Sequence, residues 1–175
     1  VFIRYSQLYR SVVAHQNIAK TPCFSSHLVA SPVILGVLSP KILLPDDFQQ
    51  LLCKHQQEMV IEHEMTHIRQ GDHLWNVLAL ALLIVFWINP LVWIGARSFR
   101  VNQELACDTK VLKTKSKHQK LLYAKALLKC AEHRSLESSL LPSWGDKNTL
   151  LKRLDLIKQP APYNKYLIGL VLLII

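Results

Sequence analysis

The rhythm of apolar and polar positions changes several times along this 175-residue chain. From Phe2 to Lys20, Tyr5, Leu8, Val12 and His15 recur at helical intervals, and the spacing predicts an amphipathic helix. Between His27 and Pro45, Val29, Val33, Ile34, Val37, Ile42 and Leu44 are punctuated by Pro32, Gly36, Pro40 and Pro45, which reads as short β-strands joined by a turn. Asp46 and Asp47 stand where an N-cap belongs, ahead of Phe48, Leu51, Leu52, His55 and Val60. A helix is therefore expected to start there and run through the sixties.

Leu74 to Ala96 carries no charged side chain, and on length alone it reads as a transmembrane helix. Asn89-Pro90 interrupts it, because proline removes a helix hydrogen bond and biases the preceding residue away from helical backbone. Two helices meeting near this point are expected. Beyond them the pattern predicts a helix from Arg97 to about Lys115. A basic helix follows from Lys117 to His133, with Leu121, Leu122, Ala124, Leu128 and Ala131 buried. A polar loop, Ser135 to Lys147, leads to a short helix over Leu150 to Ile157, which Pro160 and Pro162 end.

These elements add up to an α+β, mostly helical domain over residues 1–160, with a small β-hairpin or sheet and an apolar helical hairpin within 74–96. The apolar run Tyr166 to Ile175 is shorter than the roughly 20 residues a spanning helix needs. Residues 163–175 are read as the start of a truncated transmembrane helix, and the chain as a piece of a longer membrane protein. Val1 to Lys20 has no apolar stretch followed by a cleavage site.

Composition sharpens this picture. Half the residues are apolar and mean hydropathy is +0.18, yet 21 Lys and Arg against 12 Asp and Glu give a formal charge of +9. The combination points to a membrane protein with a basic side facing water. Lys113, Lys115, Lys117, Lys120, Lys125 and Lys129 lie close to apolar segments, where anionic lipid head groups are the natural counterpart. By the positive-inside tendency they favour the cytoplasmic face. Direct nucleic-acid binding is disfavoured, because the charge is not clustered with exposed aromatics on a polar domain. Cys23, Cys53, Cys107 and Cys130 lie far apart with no C-x-x-C pair, as expected of free thiols in a reducing compartment.

The candidate chemistry lies in His63-Glu64-Met65-Thr66-His67. Two imidazoles four residues apart share one face of a helix and can grip one metal ion, with Glu64 beside that face. Catalytic zinc takes three protein ligands and keeps a position for water, and Glu64 is then the base that takes the water's proton. A third ligand is available in Glu104. Asp108, four residues on, faces the same way and suits an acceptor for the far nitrogen of a ligating histidine. The bland alternatives are a solvated carboxylate at Glu104 and, at Asp108, a salt bridge to Lys110 or Lys113.

If His67 and Glu104 share a metal, Leu74 to Ala96 cannot cross a bilayer once. The leg from Asp72 to Asn89 is about 26 Å long and the return from Pro90 to Glu104 about 21 Å at ~1.5 Å per residue, so a helical hairpin returns to the metal. It enters a membrane or packs under further transmembrane helices of a longer protein, with Trp75, Trp87 and Trp93 as interface anchors, or it forms a buried core hairpin in a soluble domain.

At this point the chain resembles the membrane zinc peptidases of the BlaR/MecR kind, signal transducers that respond to beta-lactam antibiotics. The likeness rests on Ser31 to Gly36 leading to Pro40 to Pro45, the H-E-x-x-H helix followed by Asp72, Asn89-Pro90-Leu91-Val92-Trp93, and Gln103-Glu104-Leu105-Ala106-Cys107-Asp108. It implies a gluzincin-like, zincin-fold domain at the cytoplasmic face of a bacterial inner membrane, cleaving itself or a cytoplasmic regulator such as a transcriptional repressor. By position, it implies His63, His67 and Glu104 on zinc, Glu64 as catalytic base and Asp108 as outer partner. A protein or peptide substrate, membrane lipids and a homodimer are the partners expected. The alternative function is a non-proteolytic membrane signalling module with a structural zinc site.

Three further expectations are open to test. Ile34 to Leu44 is a candidate edge for an extended substrate, the loop Ser135 to Lys147 is a candidate for self-cleavage or a plain linker, and His118 and His133 are candidates for stabilising an oxyanion.

Overall fold

The computed structural model describes residues 14–18, 21–136 and 147–158. Four short strands form one sheet: β1 (Ala14–Ile18), β2 (Thr21–Ser25), β3 (Val33–Leu35) and β4 (Lys41–Leu44), in the order β1-β2-β4-β3. β1 pairs antiparallel with β2, β2 runs parallel to β4, and β3 pairs antiparallel with β4. The predicted hairpin is β3 and β4. The predicted helix over Phe2 to Lys20 is corrected where it is described, because Ala14 to Ile18 is strand; the rest of it lies outside the described residues. β1 pairs with the next strand in sequence, β2. β2 gains its second partner from Ile42 to Leu44, some twenty residues away, which overrides the local helical spacing.

Alternation along β4 divides the core. Ile42 and Leu44 face one way, into a cluster with Cys23, Phe48, Leu52, Val60, Ile61, Ala126 and Cys130. Leu43 faces the other way, against Val29 and Leu35. The substrate-edge expectation is thereby narrowed: β4 is interior and paired on both sides, and only β3 of that segment stands at the sheet edge.

The helix expected from Asp46 onward is broken. A single turn, α1 (Phe48–Leu51), ends at Leu52, and α2 (Lys54–Gln70) starts afresh after Cys53. The second start has its own cap, because Gln56 Oε1 accepts from the Cys53 backbone N–H at 3.2 Å. α2 ends at Gly71, whose φ of 72° lets its N–H close on the carbonyls of His67 and Ile68. The same residue starts α3 (Asp72–Val85), so one left-handed residue turns the chain between the two helices. That sharp turn brings Asp72 back beside His67.

α3 and α4 (Pro90–Leu112) form the predicted hairpin, broken at Asn89-Pro90. Asn89 caps α4 by accepting from the Leu91 N–H at 2.9 Å, and Pro90 occupies the first turn, where no N–H is required. α4 runs unbroken through Arg97, where a separate helix had been expected to start. The hairpin is not a buried core element: Trp87 is 66% exposed and Ile88 77%, and Leu74, Trp75, Val77, Leu78, Leu80, Ile84, Leu91 and Ile94 are exposed as well. No helix among the described residues is long and apolar enough to cross a membrane.

α5 (Lys117–Leu136) buries a different face from the one expected. Tyr123, Ala126 and Cys130 are inside, whereas Leu121 and Leu128 are exposed and Leu122, Ala124 and Ala131 are only half-buried. Tyr123 joins Met59 and Leu112 in a third cluster that Ile157 of α6 (Lys147–Lys158) closes. The loop expected over Ser135 to Lys147 is helical at its first two residues and at Lys147; its remainder, like the apolar run from Tyr166, lies outside the described residues.

Candidate metal centre

α2 and α4 present the three residues predicted to hold a metal. His63 Nε2 and His67 Nε2 lie 3.0 Å apart. Glu104 approaches from α4, with Oε2 at 3.4 Å from His63 Nε2 and Oε1 at 3.7 Å from His67 Nε2. Ligand atoms about 2.1 Å from a tetrahedral ion lie roughly 3.4 Å from one another, so spacings of 3.0 to 3.7 Å leave the three side chains able to share one ion. Two imidazole nitrogens and one carboxylate oxygen are also the donor set of a catalytic zinc site. The α3–α4 hairpin makes this meeting possible by returning the chain to within reach of His67.

Each imidazole is held from behind by a carboxylate. Asp108 is fully buried one turn below Glu104, with Oδ1 at 3.1 Å from His63 Nδ1. It does not form the surface ion pair with Lys110 or Lys113 that was the alternative; Lys110 donates to Gln70 Oε1 instead. Asp72 Oδ2 stands 2.6 Å from His67 Nδ1. A carboxylate on Nδ1 fixes the ring and keeps the Nε2 lone pair turned toward the shared point.

Further residues belong to the same cluster. The Tyr123 hydroxyl, buried on α5, donates to Asp108 Oδ1 at 2.6 Å and lies 2.9 Å from His63 Nδ1. Arg153, from α6, reaches Glu104, Asp108 and Tyr123. The Cys107 thiol lies 3.2 Å from His67 Nδ1 and accepts from Gln70 Nε2 at 2.8 Å. Asp72 was noted in the sequence only as following the motif. Tyr123 and Arg153 carried no signal of their own, since a tyrosine in a leucine-rich helix and an arginine in a basic one are both ordinary.

The electrostatics follow from this packing. Burial and the nearby Arg153 both oppose charge on His63, but hydrogen bonds donated to the Asp108 and Glu104 carboxylates prevail and hold its pKa up at about 9. Burial would raise Glu104, yet Arg153 and the two histidines bring it down to about 2. Asp108, likewise buried, is held well below the usual carboxylate range by Arg153 and His63. Burial pushes Glu64 up, against the pull of His63 and His67. Burial and then Asp72 push the Cys107 thiol up, so it stays protonated at neutral pH.

His133 is not part of the centre. Its ring nitrogens meet Asp47 Oδ2 at 2.6 Å and the Ala30 carbonyl at 3.1 Å, so it fastens the end of α5 to the loops beside the sheet. His118 is exposed on the first turn of α5.

Comparison with known proteins gives a consistent result. The family model described as BlaR1 peptidase M56 matches residues 6–157. Over 116 residues the chain is 37% identical to the regulatory protein BlaR1 of Bacillus licheniformis, a stretch that covers 66% of this chain and 19% of that protein. Over 111 residues it is 29% identical to the methicillin resistance mecR1 protein of Staphylococcus aureus, covering 63% of this chain and 19% of the relative. It is 25% identical over 127 residues to the regulatory protein BlaR1 of Staphylococcus aureus, covering 71% and 22%. The chain thus spans about a fifth of the length of the curated relatives it matches.

Proposed function

The chain belongs to the BlaR1 peptidase M56 family, and from that premise we propose that it is the catalytic core of a membrane-bound zinc metalloendopeptidase working in transmembrane signal transduction. Its target is itself, a cytoplasmic regulator such as a transcriptional repressor, or both. The observation that carries this reading is the convergence of His63 Nε2, His67 Nε2 and a Glu104 carboxylate oxygen, with a carboxylate behind each imidazole.

In this reading His63, His67 and Glu104 hold zinc, and Asp108 and Asp72 orient the two histidines. Zinc, when bound, supplies the Lewis acidity that brings hydroxide within reach of neutral pH. Glu64 takes the proton of the attacking water and delivers it to the leaving amine. Cleavage by the full-length protein in detergent is expected to stop when zinc is chelated and to return when zinc alone is added back. Cleavage that persists in chelator contradicts a zinc-dependent mechanism.

The hairpin seats the domain on the bilayer at the cytoplasmic face. An apolar surface of this extent, tipped by Trp87 and Ile88 and free of charge from Leu74 to Ala96, is costly in water and matches a lipid interior. Both legs return to the same side, which suits a loop that enters the membrane without crossing it. A variant of the full-length protein keeping Trp87 as sole tryptophan, with Trp75, Trp93, Trp144 and every tryptophan outside these residues replaced by Phe, should be strongly quenched by vesicle lipids brominated in their acyl chains. Emission indifferent to those lipids contradicts the seating.

A further inference from the structure

α6 sends one arginine into the centre from a distant part of the sequence. Arg153 forks onto Asp108, with Nε donating to Oδ2 at 2.7 Å and Nη2 to Oδ1 at 2.9 Å. Its Nη1 lies 2.8 Å from Glu104 Oε2. Nη2 also donates to the Tyr123 hydroxyl at 3.2 Å and lies 3.3 Å from His63 Nε2. The side chain is 14% exposed, so these contacts are made largely out of water.

The need for such a group follows from α4 itself. Glu104 and Asp108 are one turn apart on the same helix face, and two like charges at that spacing repel. Both must nevertheless stay ionised and aimed at the same small volume, one toward the metal position and one toward His63 Nδ1. A planar guanidinium can hold both at once, with two bonds to one carboxylate and a third to the other. A lysine ammonium is a point charge without that fork. Holding Asp108 fixes the His63 ring with Nε2 turned toward the metal position, and holding Glu104 Oε2 fixes the third ligand.

We propose that Arg153 is a positioning residue of the metal centre, clamping Glu104 and Asp108 together so that Glu104 and His63 meet the ion in ligating geometry. This rests on the reading of His63, His67 and Glu104 as zinc ligands. It gives α6 a role in the site that packing alone does not supply. It also makes metal affinity depend on the docking of a helix that contributes no ligand.

The test is zinc affinity of the full-length protein in detergent, read by competition with a chromophoric chelator, together with the visible absorption of the cobalt(II)-substituted protein. Arg153→Ala should weaken zinc binding by about 10–100-fold, the usual cost of losing an outer partner, and should alter the cobalt spectrum. Dilute guanidinium, far below denaturing concentration, should restore much of the affinity, which loss of packing alone would not allow. Arg153→Lys should recover only a small part. A folded Arg153→Ala protein with the parent's affinity and spectrum overturns the proposal, and so does one that binds zinc more tightly, since Arg153 would then be the metal's competitor. If Arg153→Ala does not fold, Arg153→Lys decides: weakened affinity supports the clamp and parental affinity overturns it. A parent protein that binds no zinc overturns the metal site itself and this proposal with it, an outcome distinct from a binding parent with an indifferent variant.

Discussion

Glu64→Gln is expected to lower the cleavage rate by at least about 10²–10⁴-fold, the range that general acid–base catalysis contributes, while leaving the zinc content unchanged. The two effects separate because Glu64 is not one of the three groups whose ligand atoms converge; it stands beside them, close enough for its charge to feel His63, His67, Glu104 and Arg153. Glutamine keeps the size and removes the basic oxygen, so the metal geometry has no reason to change. Cleavage rate and zinc per chain, measured on the same preparation, check both halves. Retained proteolysis would contradict Glu64 as the base, and loss of zinc would mean that it also helps to hold the ion.

Asp108→Ala is expected to cost about 3–5 kcal/mol of stability, the range for breaking a buried ion pair by removing one partner. The side chain is fully buried, and its loss takes one carboxylate from the Arg153 guanidinium, the Tyr123 hydroxyl and His63 Nδ1 at once, leaving Arg153 only Glu104 as a carboxylate partner. Against a typical total of about 5–15 kcal/mol, that is enough to threaten the fold. The sign with pH follows from the depressed carboxyl pKa. The stabilisation is complete above the ordinary aspartate range, falls progressively as pH drops through that range, and is gone once strong acid protonates the folded state. Asp108→Asn should cost less, since it retains an acceptor. Urea melting of the detergent-solubilised protein reads all of this, and a shift under about 1 kcal/mol for Asp108→Ala would show that the network is incidental.

The parts legible in the sequence were those whose determinants are local. The H-E-x-x-H spacing, the Asn89-Pro90 break and the four-residue step from Glu104 to Asp108 each dictate a geometry within one or two helical turns, and the structure contains it. The uncharged run from Leu74 to Ala96 announced an apolar hairpin, and solvent exposure of its tip decided against burial in the core.

What stayed hidden depends on long-range packing. β1 and β2 gave weak signals because Ala14 to Ile18 is short and mostly polar and Thr21 to Ser25 contains a proline; their strand form comes from pairing with each other and with β4. α5 has apolar residues on several faces, so periodicity could not choose the face that holds Tyr123, Ala126 and Cys130. Cys53, which starts α2 with Gln56 after the break at Leu52, is not a typical cap residue, so the break carries a weaker local signal than Asp46 and Asp47 ahead of it. Tyr123 and Arg153 enter the centre only because α5 and α6 pack against α2 and α4, and no spacing along the chain encodes that.

In the proposed function His63, His67 and Glu104 form one zinc site across the hairpin. The most direct measurement is the zinc content of the purified full-length protein in detergent beside its Glu104→Ala variant, both confirmed folded. Close to one zinc per chain is expected in the parent, with a large loss in the variant. Zinc absent from the parent, or equally retained by the variant, would contradict that site.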